Sequence, residues 1–208
     1  MSIAPDAARI RQRLAGTREP ADPLDVDVAA LSRRMPDDQI QALLPALRPA
    51  GVLIPLIERG EALSVLLTER SSQLKHHAGQ VSFPGGGMEP HDASITATAL
   101  RETHEEVGIA PAAVEVAGYL NPTPTVTGFA VTPVVGFVSG DPELIVDRTE
   151  VETAFEVPLD FLMDERNEVL SEQEHGGIMF RITTFHYDGH KIWGATAGII
   201  ATFRELIV

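Results

Sequence analysis

The 208-residue chain has no cysteine, which rules out disulfides and thiolate metal sites. It is also poor in positive charge: 16 Lys and Arg stand against 30 Asp and Glu, a formal net charge of -14. Such a balance repels a polyphosphate backbone and an anionic membrane surface alike, so neither a nucleic-acid polymer nor a membrane is an expected partner. Long apolar runs are missing too. The longest, VLIPLI at 52–57, falls far short of the roughly 20 residues that cross a bilayer. The N-terminal MSIAPDAARIRQRL lacks the apolar core of a signal peptide. These absences together point to a soluble, cytoplasmic protein without internal repeats or low-complexity segments.

What is present suffices for one domain and an extension, because 44% of the residues are hydrophobic. Residues 1–50 are rich in Ala, Pro, Asp and Arg and read as an arm with short helices, one near Ala7 to Leu14 and another opening at Asp37 or Asp38. The main domain is expected over 51–208. GVLIPLI and LSVLLTE read as strands around the turn Glu58-Arg59-Gly60-Glu61, and VEVAGYL, AVTPVVGFV and IMFRITTFHY as further strands. Asp188-Gly189 signals a hairpin. The apolar spacing of Ile199, Ile200, Phe203, Leu206 and Ile207 predicts a closing helix docked on the sheet.

A second helix carries more information. Asp92 is a suitable N-cap, Ile95, Ala99, Thr103 and Val107 form one stripe, and Gly108 is placed to end the helix. Glu102, Glu105 and Glu106 stand at i, i+3 and i+4, on one face within a single turn. Read alone, such a triplet is either a solvated acidic face or a set of hard oxygen ligands for Mg²⁺ or Mn²⁺. Phe83-Pro84-Gly85-Gly86-Gly87, which leads into the same helix, favours ligands, since a glycine backbone admits close approach of a diphosphate.

Gly87 followed by Arg101-Glu102-Thr103-His104-Glu105-Glu106-Val107-Gly108-Ile109 resembles the Nudix box. One position departs from the pattern: the glutamate expected six residues after Gly87 is Ala93, with Asp92 one place early, so Asp92 or Glu89 must pair with Arg101 instead. Upstream, Leu66-Leu67-Thr68-Glu69-Arg70-Ser71 with Lys75, Gly79 and Phe83-Pro84-Gly85-Gly86 is similar to the additional motif of coenzyme A pyrophosphatases. Lys75 stands where arginine is usual, which keeps the charge and loses the bidentate fork. The likeness extends over about 50–208 and leaves the arm outside.

The resemblance implies an α/β Nudix fold, a mixed β-sheet in an α/β/α sandwich. It further implies metal-dependent hydrolysis of the diphosphate of coenzyme A and its derivatives, giving 4′-phosphopantetheine or its acyl form and adenosine 3′,5′-bisphosphate. Other nucleoside diphosphate derivatives, such as ADP-ribose or a nicotinamide dinucleotide, are the alternative substrates, and a non-catalytic nucleotide sensor is a more distant one. Glu102, Glu105, Glu106 and the carbonyl of Gly86 are the implied ligands of Mg²⁺ or Mn²⁺. Glu105, or Glu150 or Glu152 on a later loop, is the candidate general base, with Glu102 and Arg101 completing the catalytic set. Arg70, Ser71, Lys75, Gly85, Gly86 and Gly87 are the implied substrate contacts. Arg70, assisted by Lys75, is assigned to the 3′-phosphate, with His76 and His77 in the same cationic patch. The expected partner is a small molecule, and a homodimer is the expected assembly if there is one.

Overall fold

The computed structural model describes residues 4–26, 28, 40–41, 44–74, 77–125, 127–175 and 178–208, with the side chains of 172–175 and 178–181 left out. In chain order the elements are α1 (Ala7–Leu14), β1 (Arg48–Arg59), β2 (Ala62–Arg70), β3 (Val81–Ser82), β4 (Gly85–Gly87) and α2 (Ile95–Val107). They continue with β5 (Val114–Tyr119), β6 (Thr123–Pro124), β7 (Phe129–Val138), β8 (Val151–Pro158), α3 (Leu159–Met163), β9 (Glu168–His175), β10 (Ile178–Tyr187), β11 (His190–Trp193) and α4 (Gly194–Ile207).

β1 is apolar on both faces and takes the middle of the main sheet, whose order is β3-β2-β1-β7-β5. It pairs in parallel with β7 and antiparallel with β2 and β4, so the sheet is mixed. The period-2 alternation of β1 divides the core. Leu53 packs with Ala99 of α2 and Val134 of β7, while Ile54 and Leu56 join Ile199, Ile200 and Phe203 of α4 on the opposite face. Helices thus cover both faces, as in an α/β/α sandwich. Gly51 is what lets α2 lie so close: a Cβ there would stand 2.6 Å from the carbonyl oxygen of Ile95.

β9, β10 and β11 form a second, antiparallel sheet. Asp188 and Gly189 turn its β10–β11 hairpin with φ of 47° and 82°, as a two-residue primed turn requires. In the arm, α1 forms where expected and buries Ile10 and Leu14 completely in the main core. The helix expected from Asp37 or Asp38 lies mostly outside the described residues; of its described part, Ile40 and Gln41 are helical and Leu44–Ala46 is a single 3-10 turn. Among the described residues no helix is long and apolar enough to cross a membrane.

Candidate functional site

α2 begins later than its sequence suggests. Ser94, not Asp92, is the N-cap and accepts from the Ala97 amide, while Gly108 closes the helix at φ 79° as expected. Asp92 is thereby released for another task. Its carboxylate is buried and accepts from the Glu89 amide, from the Thr98 hydroxyl, and from Arg101 through Nε and Nη2, both at 2.9 Å. The Arg101 guanidinium holds this carboxyl well below the usual carboxylate range. Asp92 therefore occupies the role of the glutamate missing at Ala93, and Glu89 points instead to His91 at 3.3 Å. Arg101 also reaches Glu105 at 2.8 Å, Glu102 at 2.9 Å and the Gly87 carbonyl at 3.4 Å. These bonds make it a buttress between the glycine strand and the helix.

The three glutamates, one set on paper, sit in three environments. Glu106 is 3% exposed, accepts from the Gly85 amide at 3.2 Å, and is pushed up to about 8 chiefly by burial, with Glu102 and Glu150 adding repulsion. Glu102 is largely buried, and burial raises its pKa too. Glu105 is more than half exposed and turned to Arg101. The closeness of strand and helix depends on Gly86, where a Cβ would lie 2.5 Å from the Glu102 carboxyl carbon. Arg101 offsets the charge on Glu102 and Glu105, whereas the cation nearest Glu106 is Arg70, whose Nη1 is 3.9 Å away, beyond hydrogen-bond length.

Among the described residues no three acidic or histidine side chains close into a preformed cage. The donor set nevertheless fits a hard divalent ion: oxygen donors only, an excess of negative charge, and a glycine backbone beside it.

Arg70 ends β2 with its Nε buried and, among the described residues, without a hydrogen-bond partner. Its Nη1, 3.9 Å from Glu106, sets the guanidinium beside the box carboxylates. Ser71 is fully buried, and its amide donates to the Glu150 carbonyl at 2.8 Å. The loop that carries Glu150 is pinned to the end of α2, where the amides of Ile145 and Asp147 donate to the carbonyls of Val107 and Glu106. Glu150 is thus brought into electrostatic reach of Glu102 and Glu106, whereas Glu152 is exposed at the start of β8. Lys75 and His76 lie outside the described residues; His77 takes φ 60° and bonds Gln80 through Nδ1 at 2.9 Å.

Comparison with known proteins bears on the family and the fold. The family model described as NUDIX domain matches residues 47–175. An uncharacterized Nudix hydrolase, NudL, from Enterobacter sp. strain 638 is 47% identical over 160 residues, covering 76% of this chain and 81% of its own. The NudL of Escherichia coli O1:K1 is 45% identical over 159 residues, with the same coverage. Among solved structures, a MutT/nudix family protein from Enterococcus faecalis superposes with a TM-score of 0.50 at 18% identity, covering 77% of this chain and 62% of that one.

Proposed function

The chain belongs to the Nudix family of hydrolases, and from that premise we propose that it cleaves the diphosphate of coenzyme A and its derivatives. The observation that carries this reading is the position of Arg70. Within the motif upstream of the box, the Arg70 guanidinium stands 3.9 Å from the box carboxylate of Glu106, with Nε oriented to donate to a phosphate oxygen. The two motifs therefore serve one site.

Glu102, Glu106, Glu105 and the Gly86 carbonyl would hold Mg²⁺ or Mn²⁺, which supplies electrostatic stabilisation of the charge that develops on the diphosphate. Arg70 orients the diphosphate from the side of β2. Water is the nucleophile: it adds to one phosphorus, its proton passes to a carboxylate, and the bridging oxygen leaves with the other phosphate. Glu150 suits the proton acceptor better than Glu105, because Glu105 is engaged by Arg101 and Glu150 is exposed on a loop tied to the helix. The products are 4′-phosphopantetheine, or its acyl form, and adenosine 3′,5′-bisphosphate.

Product analysis in H₂¹⁸O with Mg²⁺ over coenzyme A, dephospho-coenzyme A, ADP-ribose and NADH tests the reading. Faster turnover of ADP-ribose or NADH than of coenzyme A would overturn it. Arg70→Ala tests the contact. A charge-assisted hydrogen bond is worth roughly 1.5–3 kcal/mol, so kcat/KM should fall about 10- to 150-fold. The fall should be parallel on coenzyme A and dephospho-coenzyme A. A loss confined to coenzyme A would instead put Arg70 on the 3′-phosphate.

A further inference from the structure

On the sheet face away from α2, the start of β1 carries a cation and an aromatic ring that the chemistry above leaves unused. Gly51 faces α2, so its neighbours Ala50 and Val52, and with them Arg48, face the other way. Residues directly opposed in paired strands share a face. Arg48 is opposed to Phe129 of β7, Ala50 to Val131 of β7 and Gly87 of β4, and Val52 to Gly85. Phe129, Val131 and Val52 are each half-buried, Val52 and Val131 at the margin of the main core, so together they form a partly exposed apolar floor. The Arg48 guanidinium lies over the Phe129 ring at 4.4 Å to its centroid, exposed and without an ion pair to any carboxylate among the described residues. Gly87 lies flush with this floor: even a Cβ added there would stop 3.8 Å from the ring.

The floor adjoins the carboxylate site. Gly85, which donates to Glu106, and Gly87, which borders Phe129, are two residues apart on one extended strand, about 7 Å. A ribose bridges that distance between a phosphate and a base. A guanidinium with no ion pair among the described residues, in a chain of net charge -14, also marks where an electron-rich or anionic group is welcome.

Resting on the diphosphate reading above, we propose that Phe129, framed by Arg48, Val52 and Val131, is the stacking platform for the substrate's adenine ring. The purine takes the guanidinium's place on the ring face. Arg48 then turns to the ring edge or to a sugar phosphate. The exchange is favourable because an exposed cation–π contact is weaker than base stacking in a partly dry groove.

Calorimetric titration in Mg²⁺ with adenosine 3′,5′-bisphosphate, AMP, ribose 5-phosphate and 4′-phosphopantetheine tests the platform without any turnover. Phe129→Ala should weaken both adenine nucleotides about 5- to 150-fold, the range found when a stacking aromatic is removed, and leave ribose 5-phosphate unchanged. Phe129→Trp should keep or tighten them. If Phe129→Ala melts early, Phe129→Leu removes the π face while holding apolar volume, and the same loss is expected of it. The proposal is overturned by equal loss on ribose 5-phosphate, by loss on 4′-phosphopantetheine alone, by adenine nucleotides that bind as in wild type, or by a wild type that binds neither of them. A protein that cleaves no coenzyme A yet binds AMP through Phe129 keeps the platform and loses only the coenzyme A reading.

Discussion

Glu106→Gln is expected to lower kcat by about a thousandfold or more while leaving the fold intact. Removing one group that stabilises developing charge costs on the order of a hundred- to a thousandfold. Glu106 should stand at the upper end, because it is the most buried of the three glutamates and meets both the Gly85 amide and Arg70. The isosteric amide can still accept from Gly85, so the strand-to-helix contact survives. Stability should move the other way. A carboxylate this buried, with an ion pair no closer than 3.9 Å, is costly when ionised, and Gln removes that cost. Without metal, Glu106→Gln should melt no lower than wild type. With Mg²⁺, wild type should gain more in Tm than the variant, since a ligand of the native state alone stabilises by mass action. Turnover within threefold of wild type, or wild-type activity that survives excess EDTA, would remove Glu106 and the metal from the chemistry.

Much of this site could be read in the sequence because its spacing is rigid. Three glutamates at i, i+3 and i+4 must share a helical face, and a glycine after that helix must end it. What the spacing hides is depth. Glu106 lies between the stripe that packs on the sheet and the solvent side, and only the fold shows it to be nearly as buried as Val107. Arg70 was legible as a cation near the glycines but not as one aimed at Glu106, because its direction depends on the pairing of β2 with β3 and β8. β8 itself was obscured by the charged residues of RTEVETAFEV, although β2 covers it as a neighbour. The arm shows the same limit. Its sparse apolar residues gave a weak signal, yet Ile10 and Leu14 are fully buried, since a short helix needs only two such anchors to dock.

Asp92→Ala should be the most destabilising single change around the site. Asp92 and Arg101 form a bidentate pair whose side chains are 3% and 19% exposed, and removing one partner from a buried pair costs roughly 3–5 kcal/mol. The lower end applies, because Arg101 keeps Glu102 and Glu105. For a chain of this length about 3 kcal/mol lowers Tm by roughly 6–12 °C. The pH dependence fixes the origin of the loss. Arg101 depresses the folded-state pKa of Asp92 below its unfolded value, so the pair's contribution is fully present above about pH 4 and disappears as pH falls through the folded-state pKa. Wild type and Asp92→Asn should therefore differ most near neutrality and converge in acid. The decisive variant is Asp92→Ala with Ala93→Glu, which returns the carboxylate to the place the box pattern prescribes. Recovery of most of the lost Tm and activity would mean that Arg101 needs a partner from this turn and accepts either register. Loss without recovery would mean that the bonds from Asp92 to the Glu89 amide and the Thr98 hydroxyl are themselves required, and that this chain has rebuilt its turn around an aspartate. An Asp92→Ala protein that melts with wild type at neutral pH would refute the pairing as a source of stability.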